Sequence, residues 1–189
     1  MNNDWKKGKN FSTNNLGQRK KSDFYQTPYS MTWQLLEREM FAGTILEPAC
    51  GDMAISKWLN NPTNYDIEVD FLKEKKNYDN VITNPPFSLS FEFITKAKEV
   101  ARNKIALLLP LSYLHGKKRF DNIYQDKTFP LARIYVFTRY PMLGDDLRED
   151  GFYRTGMMVY AWFIWDKEWS GEPAIRWIDN NKYVLNSRK

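Results

Sequence analysis

Cysteine and histidine are nearly absent from this 189-residue chain, which has one of each, Cys50 and His115. A single cysteine excludes an internal disulfide and fits a reducing compartment. One cysteine and one histidine leave too few ligands for a zinc site, so no metal is expected. Long hydrophobic runs are lacking as well. No stretch approaches the roughly 18 apolar residues that cross a bilayer, and the polar, basic start lacks the apolar segment of a secretory signal. The expectation is a cytoplasmic protein without membrane contact. Glycine is also missing at one telling place. The stretch LEPACGDMAI, Leu46 to Ile55, has the shape of a strand, a glycine turn and a helix start. Turns of that kind usually carry a second glycine two residues after the first, where this chain has Met53.

The composition that remains is globular. Hydrophobic residues make up 42% and aromatics 16%, enough for one domain with a sizeable core. The formal net charge is +5, and the first 21 residues account for all of it, with six Lys or Arg against Asp4. That stretch is also rich in Asn, Gly and Ser and shows no apolar periodicity. Residues 1–22 are therefore read as a basic, flexible tail, a solvated end that is also suited to steering toward nucleic acid. Residues 23–189 are read as a single domain.

Thr27-Pro28 marks a helix start, and Met31, Leu35, Leu36 and Met40 form its apolar stripe up to Gly43. A strand is expected at Thr44–Glu47, a short helix at Ala54–Leu59 and a strand at Tyr65–Val69. The apolar VIT, Val81–Thr83, is a strand that stops at Asn84-Pro85-Pro86-Phe87. A helix follows from Leu89 to Arg102, with Phe93, Ile94, Ala97 and Ala101 on one face. KIALLLPLSYL and MMVYAWFIW are apolar on both sides, as strands inside a sheet are. GKKRFDNIYQD is expected to be helical, ARIYVF a strand and AIRWI an edge strand, with residues 138–155 a long polar loop. Strands alternating with helices predict an α/β fold with a parallel sheet.

The NPPF stretch carries the chemistry. Ligands of open α/β sheets sit beyond the carboxyl ends of strands, and NPPF stands at such an end. Two prolines in succession fix φ and remove two backbone donors, which leaves nearby carbonyls free to accept from a ligand. The Asn84 side-chain carbonyl is a further acceptor, and Phe87 offers a face for a base. Two acceptors can hold an exocyclic amine by both hydrogens. The lone pair of adenine N6 is delocalised into the ring, and such a grip returns electron density to the nitrogen for in-line attack on a sulfonium methyl. Positioning and electrostatics then supply most of the rate, and a duplex target must first be flipped out.

These blocks, in this order, resemble the phage-type DNA N6-adenine methyltransferases of the class I S-adenosylmethionine-dependent superfamily. The resemblance runs over roughly Asp23 to Ile178. It is carried by DFYQTP, ILEPACGD, VDFL, VITNPPF, IALLLPLSYLHGKKR, LARIYVF and YAWFIWDKEWSGEPAIRWI. It implies a Rossmann-like class I methyltransferase sheet with helices on both faces, S-adenosylmethionine as cofactor, DNA as partner and the cytoplasm of a bacterial host. Asn84, Pro85, Pro86 and Phe87 would form the target-base site and methyl-transfer centre. Tyr25, Gln26, Thr27 and Pro28 would wrap the methionine end of the cofactor, with Asn84 beside it. Glu47, Pro48, Ala49, Cys50, Gly51 and Asp52 would form the turn at its amino and carboxyl groups. Asp70 would accept from its adenine amine, and Phe71 would stack on that ring.

Two features depart from the pattern. A side chain at Met53 would crowd the cofactor or impose a different backbone. Asp70 follows Gly51 by only 19 residues, so one strand–helix unit is expected to be shortened. Asp66 and Glu68 are the acids available there for ribose hydroxyls, and neither stands where the pattern puts one. The implied reaction is methyl transfer to adenine N6 in DNA. The departures motivate an alternative, a degenerate fold that binds nucleic acid or a partner protein without catalysis. RNA adenine or protein glutamine is a further target class, because those sites share the Asn-Pro-Pro-aromatic form. For nucleic-acid contact the candidates are Lys117, Lys118 and Arg119, with Arg139, Arg148 and Arg154 in the polar loop. His115 is read as a loop residue, and Trp162, Trp165 and Trp169 as core.

Overall fold

A computed structural model describes residues 27–138 and 159–179 of the chain. The described residues build one seven-stranded sheet: β1 (Ile45–Glu47), β2 (Thr63–Asn64), β3 (Tyr78–Thr83), β4 (Ala101–Pro110), β5 (Leu131–Phe137), β6 (Tyr160–Asp166) and β7 (Ala174–Ile178). Their order is β2-β1-β3-β4-β6-β5-β7, with β7 at an edge. The apolar runs are its centre. In β4, Ile105, Leu107 and Leu109 pack on one side, and Ala106 and Leu108 on the other. Trp162 and Trp165 are fully buried in β6, core residues as expected. The sheet is not all-parallel, however. β6 runs antiparallel to both β4 and β5, while the remaining pairs are parallel. A strand buried on both faces reads the same in either direction, so periodicity could not reveal the reversal.

Helices cover both faces. α1 (Tyr29–Leu36) packs Met31 and Leu35 on one side, and the Trp162 indole N–H donates to the Met31 carbonyl at 3.0 Å. α2 (Ser90–Val100) packs Phe93, Ile94 and Ala97 on the other. Beside it lies α3 (Lys117–Arg119), which widens into a π-helical turn at Phe120–Tyr124 and buries Ile123.

Several element ends differ from expectation. α1 stops at Leu36 because the chain is drawn down to the amino-terminal edge of the sheet. There the Glu39 carboxylate accepts from the Arg133 guanidinium, Lys104 Nζ (2.9 Å) and Tyr135 Oη (2.9 Å), and Met40 is left 80% exposed. α2 ends at Val100, so Ala101 opens β4 rather than closing the helix. β4 itself ends at Pro110, and Leu111–Leu114 is a 3-10 turn whose first N–H donates to the Val159 carbonyl at 2.7 Å. The helix expected at Ala54–Leu59 shrinks to one 3-10 turn, Ser56–Trp58. The strand expected at Tyr65–Val69 is replaced by β2, two residues earlier. β1 offers only Leu46 and Glu47 as partners for Thr63 and Asn64. Tyr65 still bonds to the end of β1 and the turn after it, but past that point Asp66–Val69 has no strand to pair with and turns back, Val69 N–H donating to the Asp66 carbonyl at 2.8 Å. The shortened unit is thus a two-residue strand and a single helical turn.

Gly43 holds the turn into β1. Its φ is +87°, and a Cβ there would lie 2.3 Å from Asp79 Oδ2. That carboxylate cannot retreat freely, since it accepts from Thr44 N–H at 2.7 Å and Thr44 Oγ1 at 2.8 Å. Gly43→Ala should therefore lose about 2–3 kcal/mol of stability, from left-handed strain and a displaced hydrogen-bonded carboxylate. Urea denaturation measures it, and a loss under about 0.5 kcal/mol would contradict the geometry.

Candidate functional site

β1 and β3 lie side by side, with β2 beyond β1 and β4 beyond β3. The chain leaves β1 to one side and returns to the other, the arrangement that opens a crevice at strand carboxyl ends. A cavity of about 510 Å³ sits there, within the ~300–1,000 Å³ of small-molecule sites. Three segments meet at it: the turn after β1, the loop 66–72, and NPPF after β3.

The turn is tied to Tyr65, just past β2, by two backbone bonds, Tyr65 N–H to the Glu47 carbonyl (2.9 Å) and Cys50 N–H to the Tyr65 carbonyl (2.8 Å). Gly51 has φ +48°, and Met53 has φ +60°. Met53 therefore keeps the left-handed backbone that a glycine would adopt there, and its side chain is 48% exposed and absent from the cavity wall. The side chain does not narrow the cavity; the departure costs backbone strain instead. Met53→Gly should gain about 0.5–1 kcal/mol, the left-handed penalty less the extra entropy a glycine loses on folding. A variant less stable than the parent in urea would refute this.

Asn84 Nδ2 donates to Thr27 Oγ1 at 3.0 Å, which pins the amide where α1 begins. The Pro86 carbonyl accepts from Leu89 N–H at 3.0 Å and starts the turn into α2. Phe87 stands against Tyr160 at the start of β6, ring centroids 5.6 Å apart. Tyr160 is a residue that sequence reasoning missed, 73 positions away and without a motif of its own.

Of the residues singled out from sequence, Thr27, Glu47, Pro48, Ala49, Cys50, Gly51, Asp52, Asp70, Phe71, Asn84, Pro85, Pro86 and Phe87 all line this cavity. Pro28 does not; it is buried, and its carbonyl accepts from Met31 N–H at 2.9 Å. Tyr25, Gln26, Arg139, Arg148 and Arg154 lie outside the described residues, as do residues 1–22. Asp66 lines the cavity and Glu68 does not, which separates two acids that the sequence left level.

The electrostatics of the wall are acidic. Glu47 is 1% exposed, and burial, with Asp52 adding to it against the Ser56 hydrogen bonds, pushes its carboxyl up to about 8. Burial, and then the neighbouring Glu47 and Asp66 carboxyl groups, also push the Cys50 thiol up, so it is not a reactive thiolate. Asp70 pairs with Lys73 at 3.0 Å and accepts from Leu72 N–H at 3.1 Å, and the Lys73 bond holds its carboxyl below the usual range. Phe71 is buried, 5.0 Å from Phe93 between ring centroids.

α3 follows the carboxyl end of β4, the strand beside β3, so its basic residues reach the same edge as Asn84. Lys118 Nζ lies 3.8 Å over the Phe91 ring, in the first turn of α2. Lys117 pairs with Asp121 and stays exposed. Arg119 folds back on the His115 carbonyl and the Tyr113 ring, so its guanidinium is partly engaged within the chain. His115 is exposed in the loop, as read.

No family model and no curated protein matches the chain. Solved structures do. A candidate class I S-adenosylmethionine-dependent methyltransferase from Listeria monocytogenes superposes with a TM-score of 0.57 over 87% of this chain and 72% of its own, at 15% identity. The fold is that of the class I methyltransferases. A candidate RNA methyltransferase from Pyrococcus horikoshii shares it with a TM-score of 0.54 at 13% identity, over 76% of this chain and 87% of its own. So does the modification subunit of a candidate type I restriction enzyme from Vibrio vulnificus, with a TM-score of 0.53 at 14% identity, over 84% of this chain and 48% of its own. In this methyltransferase fold the cavity lies at the carboxyl ends of β1 and β3, where the glycine turn and NPPF face one another.

Proposed function

We propose that this chain binds S-adenosylmethionine in the cavity and transfers its methyl group to the N6 amine of adenine in DNA. The observation that carries the reading is that NPPF and the glycine turn line one cavity, with the Asn84 amide held by Thr27. The residues present fit the cofactor. Glu47 and Asp52 offer negative charge to its ammonium and sulfonium groups, Asp66 can accept from ribose hydroxyls, and Asp70 with Phe71 can take the adenine. When bound, the cofactor supplies an electrophilic methyl on a sulfonium. Asn84 Oδ1 and the Pro85 carbonyl accept the two amine hydrogens, and Phe87 stacks on the base with Tyr160 behind it. Lys117 and Lys118 on the adjoining edge contact phosphate, which fixes the strand without reading its sequence. A solved neighbour that is a restriction-enzyme modification subunit supports DNA as the substrate class. An open cavity and an outward Met53 weigh against the degenerate alternative.

The test is a partition of label. Purified protein with methyl-labelled cofactor is offered DNA, RNA and protein together. Label in DNA supports the reading; label in RNA alone moves the substrate to RNA, and label in protein alone moves it to a glutamine amide.

A further inference from the structure

Glu47, Ser56 and Asn64 bring three oxygens into a row beneath the glycine turn. Ser56 Oγ lies within hydrogen-bond reach of Glu47 Oε2 on one side and Asn64 Oδ1 on the other. A serine hydroxyl has one hydrogen to give, and an amide oxygen has none. Two contacts among three oxygens need two hydrogens, and the Glu47 carboxyl is the group that can carry the second. Asn64 Nδ2 points the other way, toward Met53 Sδ 3.9 Å away, with the Asn64 oxygen facing Ser56.

The surroundings agree. Glu47 is buried yet lines the cavity. The titratable groups around it are Asp52 and Cys50 from its own turn, and Asp66 from the loop after β2. Asp70 faces the cavity from the far side. Among the described residues no lysine or arginine contributes to its titration. A buried acid among acids, without a cation, stays neutral. A cationic ligand in the cavity would be the missing partner.

Resting on the reading that this cavity holds S-adenosylmethionine, we propose that Glu47 is a neutral carboxylic acid in the free protein and ionises as the cationic cofactor enters, so that binding expels a proton. The O–H bond of Glu47 breaks, its electron pair stays on the carboxylate, and the proton passes to buffer. Ser56 then donates its hydrogen to Glu47, and Asn64 turns its amide so that Nδ2 donates to Ser56 Oγ. Below the pH at which free Glu47 titrates, binding must first remove a proton, so affinity rises as pH rises.

Calorimetry with S-adenosylmethionine at pH 7 in phosphate and in Tris, buffers of different ionisation heat, measures the proton. The wild type should release close to one, and Glu47→Gln none. With free Glu47 titrating near 8, wild-type affinity should rise about 20-fold between pH 6 and 7.5, and this profile stands without any variant. Binding with buffer-independent heat and a flat pH profile would overturn the proposal and leave the cofactor reading standing. No binding at either pH would overturn both.

Discussion

Asn84→Ala should lower kcat for methyl transfer by about 10²–10³-fold, the effect of deleting one preorganised polar contact to a reacting group. The amide has two ends with different duties. Its nitrogen is committed to Thr27 Oγ1, so its oxygen is the end presented as an acceptor. Alanine removes that acceptor and leaves the N6 lone pair delocalised in the ring, so the loss should fall on the chemical step. Affinity for S-adenosylmethionine should fall by less than about 10-fold, because most of the cavity wall is untouched. Thr27→Val, which frees the amide to rotate while keeping its oxygen, should cost about 10-fold. Single-turnover kinetics separate the cases. Equal activity in Asn84→Ala and wild type would remove Asn84 from the reaction.

A large effect on stability belongs to Glu39, on the edge of the sheet away from the cavity. It is 6% exposed and accepts from Arg133, Lys104 and Tyr135, while Asp166 takes a second Arg133 nitrogen at 2.8 Å. Glu39→Ala leaves the half-buried Lys104 and Arg133 with Asp166 as their remaining carboxylate, and should cost about 2–3 kcal/mol. Burial pushes the Glu39 carboxyl up, but the Arg133, Lys104 and Tyr135 bonds outweigh it and hold it below its ordinary value. A depressed carboxyl contributes stability at neutral pH and loses it as pH falls through the folded value. Wild type should therefore lose its advantage over the variant in acid. Urea midpoints at pH 7 and pH 3 test both statements, and a difference that does not shrink at low pH would contradict them.

Much of this architecture was legible because buried strands announce themselves. LARIYVF, VIT and IALLLP are strands at nearly the positions expected, since both faces of the sheet are covered and the runs had to be apolar. What escaped depends on partners far along the chain. The end of α1 is set by Glu39 meeting residues 65 to 96 positions away, and nothing local in EREMFAG foretells it. The alternation of Tyr65–Val69 suggests a strand, but the short β1 leaves it no partner beyond Tyr65. The direction of β6 has no sequence signature. At the site, the turn and NPPF were readable as motifs, because their chemistry is local. Tyr160 behind Phe87, and the choice of Asp66 over Glu68, are decided by folding alone. At Met53 the sequence shows the departure but not its consequence: the backbone keeps a glycine-like φ, and the side chain lies outside the cavity wall.

Methylation of adenine N6 can be read directly from the product. DNA of varied sequence is incubated with the purified full chain and S-adenosylmethionine, digested to nucleosides and analysed by mass spectrometry. N6-methyldeoxyadenosine should accumulate with time and be reduced at least about 100-fold with Asn84→Ala. DNA that stays unmodified while the protein binds the cofactor, or a modified nucleoside other than N6-methyldeoxyadenosine, would contradict it.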